Sequence, residues 1–220
     1  MLKNKKFLLL FSATFFSSFG DATLFVILLS MLQSLGGSGV STSFYFIFSA
    51  VPVLLFGLHI GAFVENKSLQ KVMIYSDITR ILFLLIFYLY NLLFTQTIFT
   101  IYLLIFLVTF INIFFTTASS TLMPHIVEHS NIPKANSLFR IITMIAKLLS
   151  YSFAALLFYL NVGSNEGLII VTVFYVISFV AISFIRPSFR NRQLSTENPP
   201  FMYSIKEGLS YIKNDKVIFR

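Results

Sequence analysis

Six stretches of this 220-residue chain, 7 to 31, 41 to 64, 72 to 94, 98 to 120, 138 to 160 and 167 to 186, consist almost entirely of apolar residues. A helix needs about 20 such residues to cross a hydrocarbon core about 30 Å thick. The expected fold is therefore all-α: a polytopic membrane protein with six transmembrane helices. Only 11% of the residues are charged and the mean hydropathy is +0.86, whereas roughly a quarter of a soluble domain is charged. One membrane domain over 1–186 is expected, because the remainder is split among termini and short connections. The first run follows Lys3, Lys5 and Lys6. It outlasts a signal-peptide apolar region and lacks a small-residue cleavage site, so it is expected to stay attached.

Charge sets the expected orientation. With the N-terminus in the cytoplasm, the inside loops are 1–6, 65–71, 121–137 and 187–220, and they carry most of the sixteen Lys and Arg. The outside loops, 32–40, 95–97 and 161–166, carry none, and Glu166 is their one charge. That asymmetry places both ends in the cytoplasm of a cell membrane. A formal charge of +8 distributed in this way is explained by insertion and anionic lipid headgroups, so no nucleic-acid partner is expected. The absence of cysteine removes disulfides, a thiolate nucleophile and Cys-type zinc sites.

Six spans with short connections divide into three plus three, as in a transporter half built as an inverted repeat. Beyond Arg186 the chain becomes polar and Pro-punctuated at Pro199 and Pro200, the mark of a linker. Within 187–220, Ile205, Leu209 and Ile212 recur at helical spacing, predicting a short amphipathic helix on a membrane or protein surface.

Ionisable residues within spans are costly and are functional candidates by default. Asp21 lies 14 residues beyond Phe7, about 21 Å along the first helix. A carboxyl there can exchange a proton or hold a cationic substrate, and Gly20 beside it allows a ligand or another backbone to approach; the plain alternative is an ion-paired structural Asp. Lys147, in the fifth span, is expected either to pair with Asp21 or to snorkel toward the interface. Asp77 and Arg80, at i and i+3, share a helix face and can neutralise one another. His59 and Asn112 read more readily as interhelical hydrogen-bond partners than as ligands.

Two motifs mimic enzymes. HIVEH, residues 125 to 129, matches the H-x-x-E-H zinc pattern, but it follows Pro124 in an expected short loop with no downstream domain to complete a metal site. GGSG, residues 36 to 39, resembles the serine motif of intramembrane proteases. It falls in an expected exterior turn with no histidine base in the sixth span, which leaves Ser38 unactivated. No phosphate-binding G-x-x-x-x-G-K-[ST] sequence occurs. Neither enzymatic activity nor a cofactor or metal is expected.

GAFVENKSLQKVMIYSDITR, Gly61 to Arg80, resembles the cytoplasmic loop motif of the major facilitator superfamily, most closely its drug, macrolide and siderophore exporter branch. FGD at 19 to 21, PHIVEHSNIPKANSL at 124 to 138 and KEGLSYIKND at 206 to 215 resemble that branch in order and spacing. The resemblance implies that Gly61, Glu65 and Lys71 occupy the motif's opening glycine, acidic and basic positions, with Asp77 and Arg80 as its acid and base on the third helix. In the family this loop gates the cytoplasmic face. Asn66, Leu69 and Gln70 depart from the usual basic residues, and the fourth span lacks the embedded Arg of classical drug and proton antiporters. In the fifth span Ser150, Tyr151, Ala154 and Ala155 replace the antiporters' Gly and Pro pattern.

Family members have twelve spans in two halves, so the chain is expected to be an N-terminal half needing a C-terminal half or a second copy. The implied function is efflux of a small-molecule substrate, drug-like or siderophore, with Asp21, Lys147 and Asn112 as candidates for substrate binding and proton coupling. The alternatives are a membrane subunit of an ATP-driven transporter, which requires long cytoplasmic helix extensions, and a nonfunctional remnant.

Overall fold

The computed structural model describes residues 4–36 and 39–185. These form α1 (Lys5–Ser34), α2 (Gly39–Glu65), α3 (Leu69–Leu93), α4 (Ile98–Ile126), α5 (Ile132–Tyr159) and α6 (Ser164–Ser183), with a short 3-10 turn at His129–Asn131. All six α-helices are long and apolar enough to cross a membrane. The all-α, six-span architecture expected from the apolar runs is present.

The helix ends differ from the apolar runs where α4 meets α5. The apolar count predicts a loop over 121–137, yet α4 continues to Ile126 and α5 begins at Ile132. Hydropathy marks where a helix lies in lipid, whereas its end is set by backbone hydrogen bonding and caps. Pro133 occupies the first turn of α5, where its missing N–H has no intrahelical partner to lose. Asn4 ties the far end of this region to α1: its side chain caps Lys6 N at 3.0 Å and donates to Ile126 O at 3.1 Å. The amphipathic segment expected around Ile205, Leu209 and Ile212 lies outside the described residues.

The main packed pairs are α1 with α4, α5 and α6, α2 with α4, and α3 with α4 and α6. Exchanging the first three helices for the last three maps this set onto itself. The α1–α5 pair becomes α4–α2, α1–α6 becomes α4–α3, and α1–α4 and α3–α6 are their own images. Successive spans run in opposite directions, so the exchange relates antiparallel helices, which is the 3+3 inverted repeat of one half of a major facilitator fold. Helices α2 and α5 are peripheral: α2 buries only Tyr45, Pro52, Ile60 and Val64.

Lipid tails are as apolar as Leu, so close packing and interhelical hydrogen bonds hold such helices together. Ala146, Ser150 and Ala154 form the buried stripe of α5, and the Ser150 and Thr23 hydroxyls lie 2.9 Å apart across the α1–α5 contact. Helices α3 and α6 are bonded at both ends, by Gln70 Nε2 to Ile182 O at 3.0 Å and Asn91 Nδ2 to Asn165 Oδ1 at 3.0 Å. Two apolar clusters fill the bundle, one containing Phe7, Leu10, Met73 and Leu122, the other Leu28, Leu84, Ile105 and Val171. A polar layer separates them.

Candidate functional site

Three helices each contribute a polar pair to that layer. One helical turn places Ser17 and Asp21 together on α1, Asp77 and Arg80 on α3, and Tyr175 and Ser178 on α6. Arg80 is fully buried at the centre. It donates from Nη1 to Asp21 Oδ1 at 3.0 Å, and from Nη2 to Ser17 Oγ at 3.0 Å and to the Asp77 carboxylate. Ser178 donates to Asp77 Oδ2 and the Tyr175 phenol to Asp21 Oδ1, both at 2.7 Å. The guanidinium also lies over two rings, 4.8 Å from the Phe115 centroid and 4.4 Å from that of Tyr175. A planar, weakly hydrated guanidinium suits such a site, because it can fork between carboxylates while stacking on aromatic faces.

Gly20 allows this closeness. A Cβ at that position would lie 3.1 Å from Tyr175 Cε1, so the missing side chain lets the Tyr175 ring rest on the α1 backbone beside Asp21. The glycine admits an aromatic side chain rather than a second backbone.

The two carboxylates differ in access. Asp77 is closed in, whereas 23% of the Asp21 side chain is exposed, and Asp21 borders a cavity of about 140 Å³ between α1, α2 and α4. Thr109, Asn112 and Tyr45 line it with Asp21, together with the apolar Leu24, Leu28, Ile105 and Val108. Asn112 Oδ1 is buried without a hydrogen-bond partner.

The family model of the Major Facilitator Superfamily matches residues 10–219. The chain belongs to this superfamily. No curated protein matches it. Superfamily membership, with six apolar helices, makes this a multi-pass membrane protein of a secondary transporter family.

The candidate residues of this superfamily member separate into distinct groups. Asp21 and Asn112 meet at one cavity. Asp77 and Arg80 neutralise one another as expected, but Arg80 also turns inward to Asp21. An embedded arginine is therefore present, supplied by α3 and not by the fourth span. Glu65 and Lys71 are exposed around the α2–α3 connection and form no ion pair among the described residues. Gly61 has open space where a Cβ would stand. Gln70, at a position where the superfamily motif usually carries a base, instead bonds the α6 backbone.

The expected Asp21–Lys147 pair does not form. Residues two apart on a helix point about 200° apart; Thr23 faces α5 through Ser150, so Asp21 points away from α5. Lys147 remains exposed on α5. His125 belongs to α4 and His129 to the 3-10 turn, so HIVEH does not present two histidines on successive turns of one helix. The GGSG motif falls partly on residues outside those described.

Sequence reasoning passed over Ser17, Phe115, Tyr175 and Ser178. The i, i+4 spacing of Ser17 to Asp21 and the Tyr175 to Ser178 pair in an otherwise apolar helix were the available signals. Nothing in the spacing indicates that these pairs meet.

Proposed function

We propose that the chain is the N-terminal half of an exporter that moves small molecules out of the cell by alternating access, without enzymatic chemistry. The Lys and Arg bias supports cytoplasmic termini in the cell membrane, and the stretches resembling drug, macrolide and siderophore exporters support the direction of transport. The second half, or a second copy, would supply the opposing wall of the pathway.

The observation that carries this reading is the access of Asp21. A buried charge network links α1, α3 and α6, and its single partly exposed carboxylate opens on a cavity between α1 and α4, the central helices of the two repeats. A carboxylate so placed can exchange a cation while Arg80 and Asp77 keep the rest of the network closed. Asp21 is the coupling or substrate-binding residue, Asn112 shares its cavity, and Gly61, Glu65 and Lys71 act at the cytoplasmic face. Lys147 lies outside this constellation, on the exposed face of α5.

Gradient-driven export should be lost in Asp21→Asn protein that is correctly inserted in its complete transporter. Export equal to wild type across pH would remove Asp21 from the coupling role. Uptake into right-side-out vesicles driven by the same gradient would reverse the proposed direction.

A further inference from the structure

We propose that the groove between α2 and α5 selects aromatic organic anions, with Lys147 as the residue that meets their negative group. That such an anion is exported rests on the exporter reading; its binding does not.

Lys147 stands well inside α5, which ends at Tyr159, about 18 Å further along the axis. It is exposed and forms no ion pair among the described residues. A charge at such depth faces a water-filled cavity or other protein rather than lipid. Helix geometry says which side it faces. Ser150 meets Thr23 of α1, and Phe153, about 60° to one side of it, packs on Phe174 of α6 with ring centroids 5.6 Å apart. Lys147 and Tyr151 lie about 60° and 100° to the other side, on the flank turned away from α6 and toward α2.

Helices α2 and α5 are not among the closely packed pairs; aromatic rings bridge them over α1. Phe25 of α1 is the centre of the bridge, with its centroid 4.9 Å from Tyr45 and 6.1 Å from Phe46 on α2, and 6.4 Å from Tyr151 on α5. Phe46 and Tyr151 remain exposed, so a flat ring entering between the two helices can stack on them or meet their edges. Lys147, at i−4 from Tyr151, lies one turn away on the same face. Arg140, seven residues before Lys147 and so on nearly the same side of the helix, is also exposed and without an ion pair among the described residues. The sign of the ligand follows from these two cations, because Asp21, the acid that shares a cavity with Tyr45, is already bonded to Arg80 and Tyr175. Aromatic walls with a few placed polar groups are the usual make-up of a small-molecule site.

The test is thermal unfolding of the purified full-length protein in lipid nanodiscs, titrated at constant ionic strength with 2-naphthoate, 2-naphthylmethylammonium and cyclohexanecarboxylate, with equilibrium dialysis of labelled 2-naphthoate as a second readout. A ligand that binds only the folded state raises its stability saturably, so 2-naphthoate should raise the unfolding temperature, and the amine, with the same rings and the opposite charge, should not. Cyclohexanecarboxylate, which keeps the charge and lacks a flat ring, should bind more weakly. Lys147→Gln, an exposed substitution that leaves the fold intact, should weaken 2-naphthoate binding ~10-fold or more, the scale of losing a hydrogen bond to a charged group, and Lys147→Arg should restore most of it. Tyr151→Leu should weaken 2-naphthoate and leave cyclohexanecarboxylate unchanged. Equal shifts with the two naphthyl ligands, or none with 2-naphthoate, would overturn the proposal. Wild-type 2-naphthoate affinity in Lys147→Gln would also overturn it and make Lys147 a lysine that only snorkels to the headgroups. Lys147-dependent binding in a complete transporter that exports nothing would overturn the exporter reading and leave the site standing, whereas export indifferent to both 2-naphthoate and Lys147→Gln would overturn the site and leave the exporter.

Discussion

Arg80 of α3 donates to Asp21 of α1 at 3.0 Å although 59 residues separate them and α1 and α3 are not among the closely packed helix pairs. The length of the arginine makes the connection. Its guanidinium also lies over the rings of Phe115 on α4 and Tyr175 on α6, so one residue couples four helices at the level where the apolar core is interrupted.

Removing that side chain takes from Asp77 and Asp21 the cation that both of them bind. Breaking a buried ion pair from one side costs about 3–5 kcal/mol. Arg80→Gln should therefore show a sharply lower unfolding temperature and poor yield of folded protein in detergent. Arg80→Lys should rescue only part of the loss, because an ammonium lacks the planar fork that reaches two carboxylates at once. Full rescue by lysine would show that charge alone matters there.

Tyr175→Phe keeps the ring against Arg80 and Gly20 and deletes only the phenol bonded to Asp21 at 2.7 Å. A hydrogen bond to a charged group contributes about 1.5–3 kcal/mol. The variant should fold and unfold at a modestly lower temperature, and a transport assay in the complete protein should register the loosened Asp21. Unchanged stability and transport would mean that Arg80 alone holds this carboxylate.

Gly20→Ala puts a methyl group 3.1 Å from Tyr175 Cε1, a gap that a small shift of the ring can relieve. Gly20→Leu cannot be relieved in that way. Overpacking of a filled interior costs about 1–3 kcal/mol, so Gly20→Leu should unfold at a clearly lower temperature than both the unsubstituted protein and Gly20→Ala. A tolerated Gly20→Leu would place the Tyr175 ring away from the α1 backbone.

Lys147→Gln should change stability by less than about 0.5 kcal/mol, as expected for an exposed side chain without a structural partner. Combined with Asp21→Asn, its effect should add to that of the single variant, because groups that do not interact give additive changes. A measured coupling between the two positions would restore the pair that the geometry separates.

Much of the architecture was legible in the chain because lipid restricts the choices. Helix number and approximate span positions follow from apolar runs. The 3+3 division follows from short connections, and the need of Asp21 for a polar partner from the cost of a carboxylate in a span. The α4–α5 connection was less legible, since Thr121 to Asn131 lies at the edge of the apolar signal while hydrogen bonding carries α4 on to Ile126. Asp77 and Arg80 could be paired from their i, i+3 spacing alone.

The partner of Asp21 could not be read in that way. Lys147 was the cation whose depth suggested it, while Arg80 was assigned to Asp77 by spacing, and depth along a helix is a one-dimensional quantity that sequence supplies. Direction around the helix axis and the identity of its neighbours are set by packing: Thr23 turns toward Ser150, Gly20 admits Tyr175, and Asp21 is thereby turned away from α5 and toward Arg80. The sequence by itself determined that a buried acid needed compensation. Only the tertiary structure decided which cation supplied it, because side chains from four helices must converge before a charge in lipid can be shared.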